Sequence, residues 1–405
     1  MKSVVIVLNN KIYLEKLLAF KDSFSVKVIT GMRGIGKTTL LSMFADTLEK
    51  NGVPSEEIIY INFDENEELS DFQKLYEYVN EKIVYLEQAY LLLDEIQQVN
   101  GWEKAINAFF VGSPVDIYIT SSNSKILSET FLSLLSDHYE LIQMYPLSFN
   151  EFLKMMPMTE DKGKEFYFNQ YLKYGGLPII TKLQEKEDVL PTLLLGMYHT
   201  ILNKDIISLF GVRDASLLDV MNKFLALNIG NPIKPKILET YLENTAQATT
   251  IYTMNNYLQM LNDSGLFHRI ARYDIKTQAT VNGSEQIFFT DLGIRNALLN
   301  FTDLENEAIP ANIVYIELMR RGYKVFIGKI GKSRVSFVAF KNSKPIYLQV
   351  VSKLDVRVNL RKTLYPLQRI NDQYDKIVVS MTRPTINDYN GIKVLYIFDF
   401  LNENI

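Results

Sequence analysis

The stretch VITGMRGIGKTTLL, residues 28–41, decides how the rest of the chain is read. From Gly31 to Thr38 it follows the spacing G-x-x-x-x-G-K-[ST]. A β-branched run, Val26–Thr30, precedes it and reads as a buried strand, while Thr39–Leu48 follows with apolar residues at helical spacing. The glycines therefore fall on a strand-to-helix turn, where Gly31, Gly34 and Gly36 let backbone N–H groups curl around a phosphate at the positive end of a helix. On this reading the whole loop (Gly31, Met32, Arg33, Gly34, Ile35, Gly36, Lys37, Thr38 and Thr39) binds a nucleotide. Lys37 would reach the β- and γ-phosphates, and the Thr38 hydroxyl would ligate magnesium.

Working outward, YLLLDEIQQV (90–99) is an apolar strand ending in Asp94 and Glu95. Two ionised carboxylates at the end of a buried strand are costly unless a cation or a polarised water meets them. Asp94 is the candidate to hold magnesium through water, and Glu95 the candidate to orient and activate an attacking water. DIYITSSN (116–123) is another apolar strand, ending in hydroxyls and an amide. Ser121, Ser122 or Asn123 could position the water or the γ-phosphate, with Asn123 the candidate carried forward; helix N-capping reads the same residues equally well. With EIIYINFD (57–64) and YELIQMYPLS (139–148), five strand candidates alternate with helical segments. The pattern predicts a doubly wound α/β domain over residues 1–150, with its ligand at the C-terminal strand ends.

The 405 residues, 47% of them hydrophobic, suffice for two to four domains with cores of their own. With 47 acidic and 43 basic residues the formal charge is -4, so any nucleic-acid binding would have to be local. The absence of cysteine excludes disulfides, thiolate zinc sites and cysteine nucleophiles, and His138, His199 and His268 are too scattered for a metal motif. The apolar run Val4–Leu8 falls far short of the roughly 20 residues a membrane span needs, and a cytoplasmic location is expected.

The chain resembles bacterial and archaeal AAA-type ATPases that carry a C-terminal domain of unknown function. The resemblance rests on TGMRGIGKTTLL, LLLDEIQQVNGW, IYITSSNSKIL, MYPLSFNEF, YGGLP and the late stretch NIVYIELMRRGYKVFIGK, and it runs essentially from end to end. It implies a P-loop NTPase binding ATP and Mg2+, and a helical lid over residues 151–215 whose Gly176, Leu177 and Pro178 would lie against the adenine, although a plain helix-terminating turn reads those three residues at least as well. Relatives often carry paired arginines in the phosphate loop and Gly-Arg before the fifth strand. This chain has Arg33 with Gly34, and Asp137 with His138. The second change removes a cation that could stabilise γ-phosphate charge, so hydrolysis is expected to be slow unless Arg213 or another basic residue substitutes.

Residues 216–300 read as a winged helix: PIKPKILETYLENT, TIYTMNNYLQMLNDSGLF, then the strands FHRIARYDI and EQIFFTD. Its would-be recognition helix, Thr249–Ser264, contains no Lys or Arg; Thr253, Asn255, Asn256 and Gln259 could touch bases, and Arg269, Arg272 and Lys276 keep backbone contact open. A winged helix that packs on the ATPase and moves with nucleotide state is the competing reading. Residues 301–405 resemble a restriction-endonuclease-like fold. By that resemblance the metal-site positions are Ala311, Ser336, Gln349 and Val351, which carry neither carboxylate nor lysine, while Glu317 stands one turn away from the first of them. Nuclease activity is not expected. The alternating RVSFVAF and PIYLQVV should still fold as a hairpin scaffold. Two functions remain open: an ATPase acting near DNA, in a mobile-element or defence setting, and a nucleotide-gated switch binding protein partners or further copies of itself.

Overall fold

The computed structural model of the chain describes residues 4–402, apart from 136–137, 160, 184–185, 246, 248 and 355–359. All five strands expected in the first 150 residues form: β1 Val26–Thr30, β2 Ile58–Asn62, β3 Ala89–Asp94, β4 Val115–Ser121 and β5 Tyr139–Gln143. They make one parallel sheet in the order β2-β3-β4-β1-β5. β1 and β3 are buried along their whole length, as apolar strands covered on both faces should be. Val26 and Val28 point into one apolar cluster and Ile29 into another, so the sheet has a core on each side. This is the AAA-type P-loop NTPase architecture. Its consequence for the site is positional: β4 lies between β1 and β3, which places Ser121, Ser122 and Asn123 between the phosphate loop and the Asp94–Glu95 pair.

Beyond the sheet, helix Leu190–Thr200 runs directly into a π-helix, Ile201–Ser208. The segment expected to be a winged helix supplies helices Pro235–Asn244 and Ile251–Asp263 and the hairpin of β6 Phe267–Asp274 and β7 Ala279–Phe289. After helix Ile309–Arg320 come β8 Lys324–Ile330, β9 Ser333–Lys341, β10 Lys344–Val351, β11 Lys376–Ser380, β12 Asp388–Tyr389 and β13 Ile392–Tyr396. The β9–β10 turn is Asn342-Ser343, at φ 51° and 62°, the left-handed pair that a tight two-residue hairpin requires.

A single mixed sheet of eight strands runs across residue 300, in the order β12-β13-β11-β10-β9-β8-β6-β7. The join is parallel, with Arg272, Tyr273 and Asp274 of β6 opposite Ile327, Gly328 and Lys329 of β8. β11 follows the hairpin, and after β13 the chain turns helical at Ile397, where Ile397, Phe398, Phe400 and Leu401 are buried at helical rather than alternating spacing. One apolar core connects the phosphate-loop helix to this sheet; Phe44, Tyr198, Leu225, Phe288 and Phe337 all belong to it. Among the described residues no helix is long and apolar enough to cross a membrane.

Candidate active site

The phosphate loop leaves β1 with Gly31 at φ 146°, where a Cβ would press within 2.7 Å of the Met144 carbonyl oxygen. Gly34, at φ 89°, sits under Met197 of the lid; a Cβ there would lie 2.5 Å from the methionine methyl. At this φ the backbone favours glycine, whereas the methionine methyl ends a flexible side chain that can give way. The helix Lys37–Lys50 begins as the loop closes, with Thr38 exposed in its first turn. Lys37 is buried, and its Nζ donates to the carbonyls of Gly31 (2.9 Å) and Met32 (3.4 Å) and lies 3.2 Å from Glu95 Oε1.

Asp94 and Glu95 close β3 as expected. Asp94 is fully buried; it accepts from Thr120 Oγ1 (2.5 Å), Tyr60 Oη (3.2 Å) and Asn62 Nδ2 (3.3 Å), and also from the Thr38 hydroxyl. Burial pushes its carboxyl up, and these donors and Lys37 pull only partly the other way. An oxygen-only set made of Asp94 and Thr38, with Asn62 and Tyr60 behind, suits a hard dication such as Mg2+. Glu95 sits at φ 58°, a strained setting for a non-glycine residue, held by its N–H donating to Thr120 Oγ1 at 2.9 Å. Burial works to raise its carboxyl too, but Lys37 and then Arg33 outweigh it and hold it at about 2.

Three more residues complete the cluster, and none stood out in the sequence. Gln97 Nε2 donates to Glu95 Oε2 (2.5 Å) and Ser122 Oγ (3.0 Å), while its Oε1 is buried without a partner among the described residues. Asp205, in the π-helix and 1% exposed, receives Arg33 through Nε and Nη2, both at 2.9 Å, and accepts from Ser122 Oγ at 2.6 Å. Its backbone carbonyl accepts from Asn123 Nδ2 at 3.2 Å. Asp64 takes Arg33 Nη1 at 2.7 Å and Lys204 Nζ at 3.0 Å. A signal for Asp205 was present: it interrupts the buried set Ile201, Leu202, Ile206 of an otherwise apolar helix face.

Pro178 is in the turn after helix Lys164–Tyr174, where its carbonyl accepts from Thr181 Oγ1 at 2.8 Å. The glycines before it serve a junction. Gly176 N–H donates to the buried Asp291 at 2.7 Å, its carbonyl accepts from Leu147 N–H at 2.7 Å, and Tyr171 Oη donates to the Leu147 carbonyl at 2.9 Å. Arg320 donates to the Pro146 carbonyl and to Glu151 at 3.2 Å. MYPLSFNEF, YGGLP and IELMRR thus meet where the ATPase sheet, lid and second sheet join. Burial pushes the Asp291 carboxyl up to about 6, more than offsetting the N–H groups of Gly176, Ile294 and Gly293.

Asp137 lies outside the described residues. His138 stands just before β5, its carbonyl accepting from Val26 N–H. That is the opposite end of the sheet from the phosphate loop, about 16 Å away along five residues of strand. A cation at this position would stand far from the molecule's own phosphate loop. Arg213 is exposed in the turn before helix Ala215–Leu227.

On the second sheet, Ser336 and Gln349 face each other across β9 and β10. Gln349 Oε1 accepts from Ser336 N–H at 3.2 Å, and Ser336 Oγ accepts from Val350 N–H at 3.0 Å. Glu317 is engaged by Arg321 at 2.8 Å and Arg320 at 3.4 Å.

Residues 23–153 match the family model of an AAA domain, and residues 165–305 that of a domain of unknown function, DUF8612, whose span stops short of β8. An "Uncharacterized protein" of Haemophilus influenzae is 35% identical over 396 residues, covering 96% of this chain and 97% of that protein. "Uncharacterized protein MJ1544" of Methanocaldococcus jannaschii is 28% identical over 347 residues, covering 82% and 75%. Among solved structures, the Aeropyrum pernix ORC2 protein (ADPNP-ADP complexes) aligns at 12% identity and TM-score 0.39 over 72% of this chain and 91% of that one. The Thermotoga maritima RuvB Holliday junction branch migration motor aligns at 15% and TM-score 0.37 over 69% and 91%.

Proposed function

We propose, from the premise that this chain belongs to the AAA-type P-loop ATPases, that it binds Mg-ATP at Gly31–Thr39 and hydrolyses it slowly, coupling nucleotide state to movement of its C-terminal half. The observation that carries this reading is the ion pair of Lys37 with Glu95 at the loop mouth, beside the Asp94–Thr38 pair. Lys37 would exchange the loop carbonyls for β- and γ-phosphate oxygens, and Thr38 and Asp94 would hold magnesium. That ion, when bound, neutralises phosphate charge. Glu95 would accept a hydrogen bond from the attacking water and Gln97 Oε1 would accept the other. The water oxygen then bonds to Pγ as the bond to the β-phosphate oxygen breaks, ADP leaving with that electron pair and the proton passing through Glu95 to solvent.

A carboxyl at about 2 is a weak base. Glu95 gains basicity only once Lys37 and Arg33 turn to the phosphates, which ties activation to correct loading. We assign Asn123 the γ-phosphate sensor role and Pro178 the adenine contact. The domain limits that go with this reading are 1–150 core, 151–215 lid, 216–300 winged helix and 301–405 an inactive restriction-endonuclease-like domain, in a cytoplasmic protein.

For the partner, a protein or a second copy is favoured over DNA by the surface of the two helices. Ile237, Ile251 and Tyr252 are 51%, 52% and 76% exposed, whereas Arg269 is tied to Glu285 at 2.5 Å. The ATPase reading is tested by phosphate release from wild type and Glu95→Gln. The partner reading is tested by retention of the Glu95→Gln protein, held with ATP, on DNA at increasing salt. Retention that falls steeply with salt restores the DNA-associated function; indifference to DNA with nucleotide-dependent self-association supports the switch.

A further inference from the structure

The phosphate loop carries a second cation whose position has a use. We propose that Arg33 is the group that meets the γ-phosphate in cis, and that Asp205 of the π-helix stores it until the γ-phosphate arrives. This rests on the reading that the loop binds ATP.

Three observations carry it. Arg33 Nη2 lies 3.5 Å from one oxygen of Glu95 while Lys37 Nζ lies 3.2 Å from the other. A carboxylate that aligns water on Pγ stands beside the γ-phosphate, so both cations that touch it are at the γ end of the site. Second, Arg33 presents its fork to Asp205 through Nε and Nη2, the same planar two-point geometry that phosphate oxygens accept. The γ-phosphate therefore competes for this arginine on equal geometric terms and with more charge. Third, Asp205 also holds the two polar residues that follow β4, accepting from Ser122 Oγ with its carboxylate and from Asn123 with its carbonyl.

The exchange has a structural price. Once Arg33 turns to the phosphate, the Asp205 carboxylate keeps, among the described residues, a single hydroxyl partner at a position 1% exposed, and a buried carboxylate without its cation is strongly disfavoured. The π-helix relieves this by moving Asp205 toward water. π-helical turns are rare, interrupt the regular hydrogen-bond ladder of a helix, and recur at functional positions. Arg33 thus acts on the reacting group, and Asp205 is a positioning residue that converts γ-phosphate occupancy into a lid position. Because the His138 end of the sheet faces away from the molecule's own loop, Arg33 is also the cation that lets one molecule hydrolyse ATP without a neighbour.

Binding of fluorescent ATP and fluorescent ADP to the full-length protein with magnesium separates the roles. Arg33→Ala should weaken ATP about tenfold or more and leave ADP unchanged, since a charge-assisted contact to the γ-phosphate alone is lost; Arg33→Lys should recover part of it. Asp205→Asn should do the reverse, tightening ATP severalfold with ADP unchanged. If Asp205→Asn does not fold, Asp64→Asn removes another carboxylate from Arg33 and should shift the ATP-over-ADP preference the same way. Hydrogen exchange across 201–208 should rise with ATP and not with ADP. Equal losses of ATP and ADP affinity in Arg33→Ala overturn the proposal, as does weaker ATP binding by a folded Asp205→Asn protein. Failure of the wild type to bind either nucleotide would instead bring down the ATP premise, and this inference with it.

Discussion

Two sheets in this molecule each bring polar side chains to a buried point between strands, and they meet the cost of burial in opposite ways. At the end of the first sheet Lys37, Arg33, Glu95 and Asp205 are charged groups with little exposure, paired with one another, and the buried Asp94 beside them is held by hydroxyls and an amide. At the centre of the second, Ser336 and Gln349 are neutral and saturate their bonds with each other and the Val350 backbone. Ionic contacts are expensive to bury, yet they exchange readily for a ligand of matching charge. Neutral contacts closed on themselves are stable and offer such a ligand nothing. The first arrangement is a site in waiting, and the second is a scaffold.

The comparison can be broken at either end. The largest expected effect is Glu95→Gln, which should cut phosphate release about a thousandfold and leave ATP binding intact, because the acceptor for the attacking water's proton is lost while the phosphate-binding loop is kept. Unchanged turnover would remove Glu95 from the chemistry. Next, Lys37→Ala should weaken fluorescent-ATP binding about a hundredfold, the loop having lost the buried cation at its mouth.

A further buried carboxylate, Asp291 at the junction between the two sheets, tests how a charge met by backbone N–H groups is tolerated. Asp291 has a folded pKa of about 6 against 3.8 when free. Its protonated form therefore binds the folded state better: stability is full below about pH 4 and falls as pH rises through 6, by about 3 kcal/mol. Denaturant melts between pH 4 and 7 should show that slope in wild type and lose it in Asp291→Asn. In the second sheet, Ser336→Asp should lower stability by about 2 kcal/mol at pH 8 and less at pH 4, since it places a bare carboxylate where a self-contained neutral pair stood. The smallest expected effect is none at all: no cleavage of plasmid, single-stranded DNA or RNA with magnesium or manganese, with or without ATP. Metal-dependent cleavage that survives repurification and vanishes in Glu317→Ala would make the second sheet a working site and erase the contrast.

How much of this was legible depends on how near in the chain the parts lie. The phosphate loop, the Asp94–Glu95 pair and the five strands are contiguous patterns, and each is read from a dozen residues. Arg33 was legible as a loop residue, but its partner Asp205 arrives from 172 positions away and Asp64 from 31, so their role depends on a fold that no local pattern specifies. Gln97 was hidden differently: it sits inside the quoted motif, but only the left-handed turn at Glu95 brings its amide back onto that carboxylate. In the second half, alternation announced β9 and β10. The parallel join of β6 to β8 was not announced, because helix Ile309–Arg320 separates the two strands and only three residue pairs hold them in register.

The sheet that crosses residue 300 behaves as a strut with two feet. One foot is Gly265, just before β6, where a Cβ would lie 3.3 Å from the Met32 backbone nitrogen in the phosphate loop. The other is the final helix after β13, where Phe398 lies in an aromatic triangle with Phe149 and Phe168 at centroid distances of 4.9 to 5.5 Å. Between β6 and β13 lie five strand spacings, about 24 Å of hydrogen-bonded ladder that does not stretch. Gly265 and Phe398 are thus two places where this sheet bears on the first half of the chain, one beside the phosphate loop and the other against the helices that follow β5.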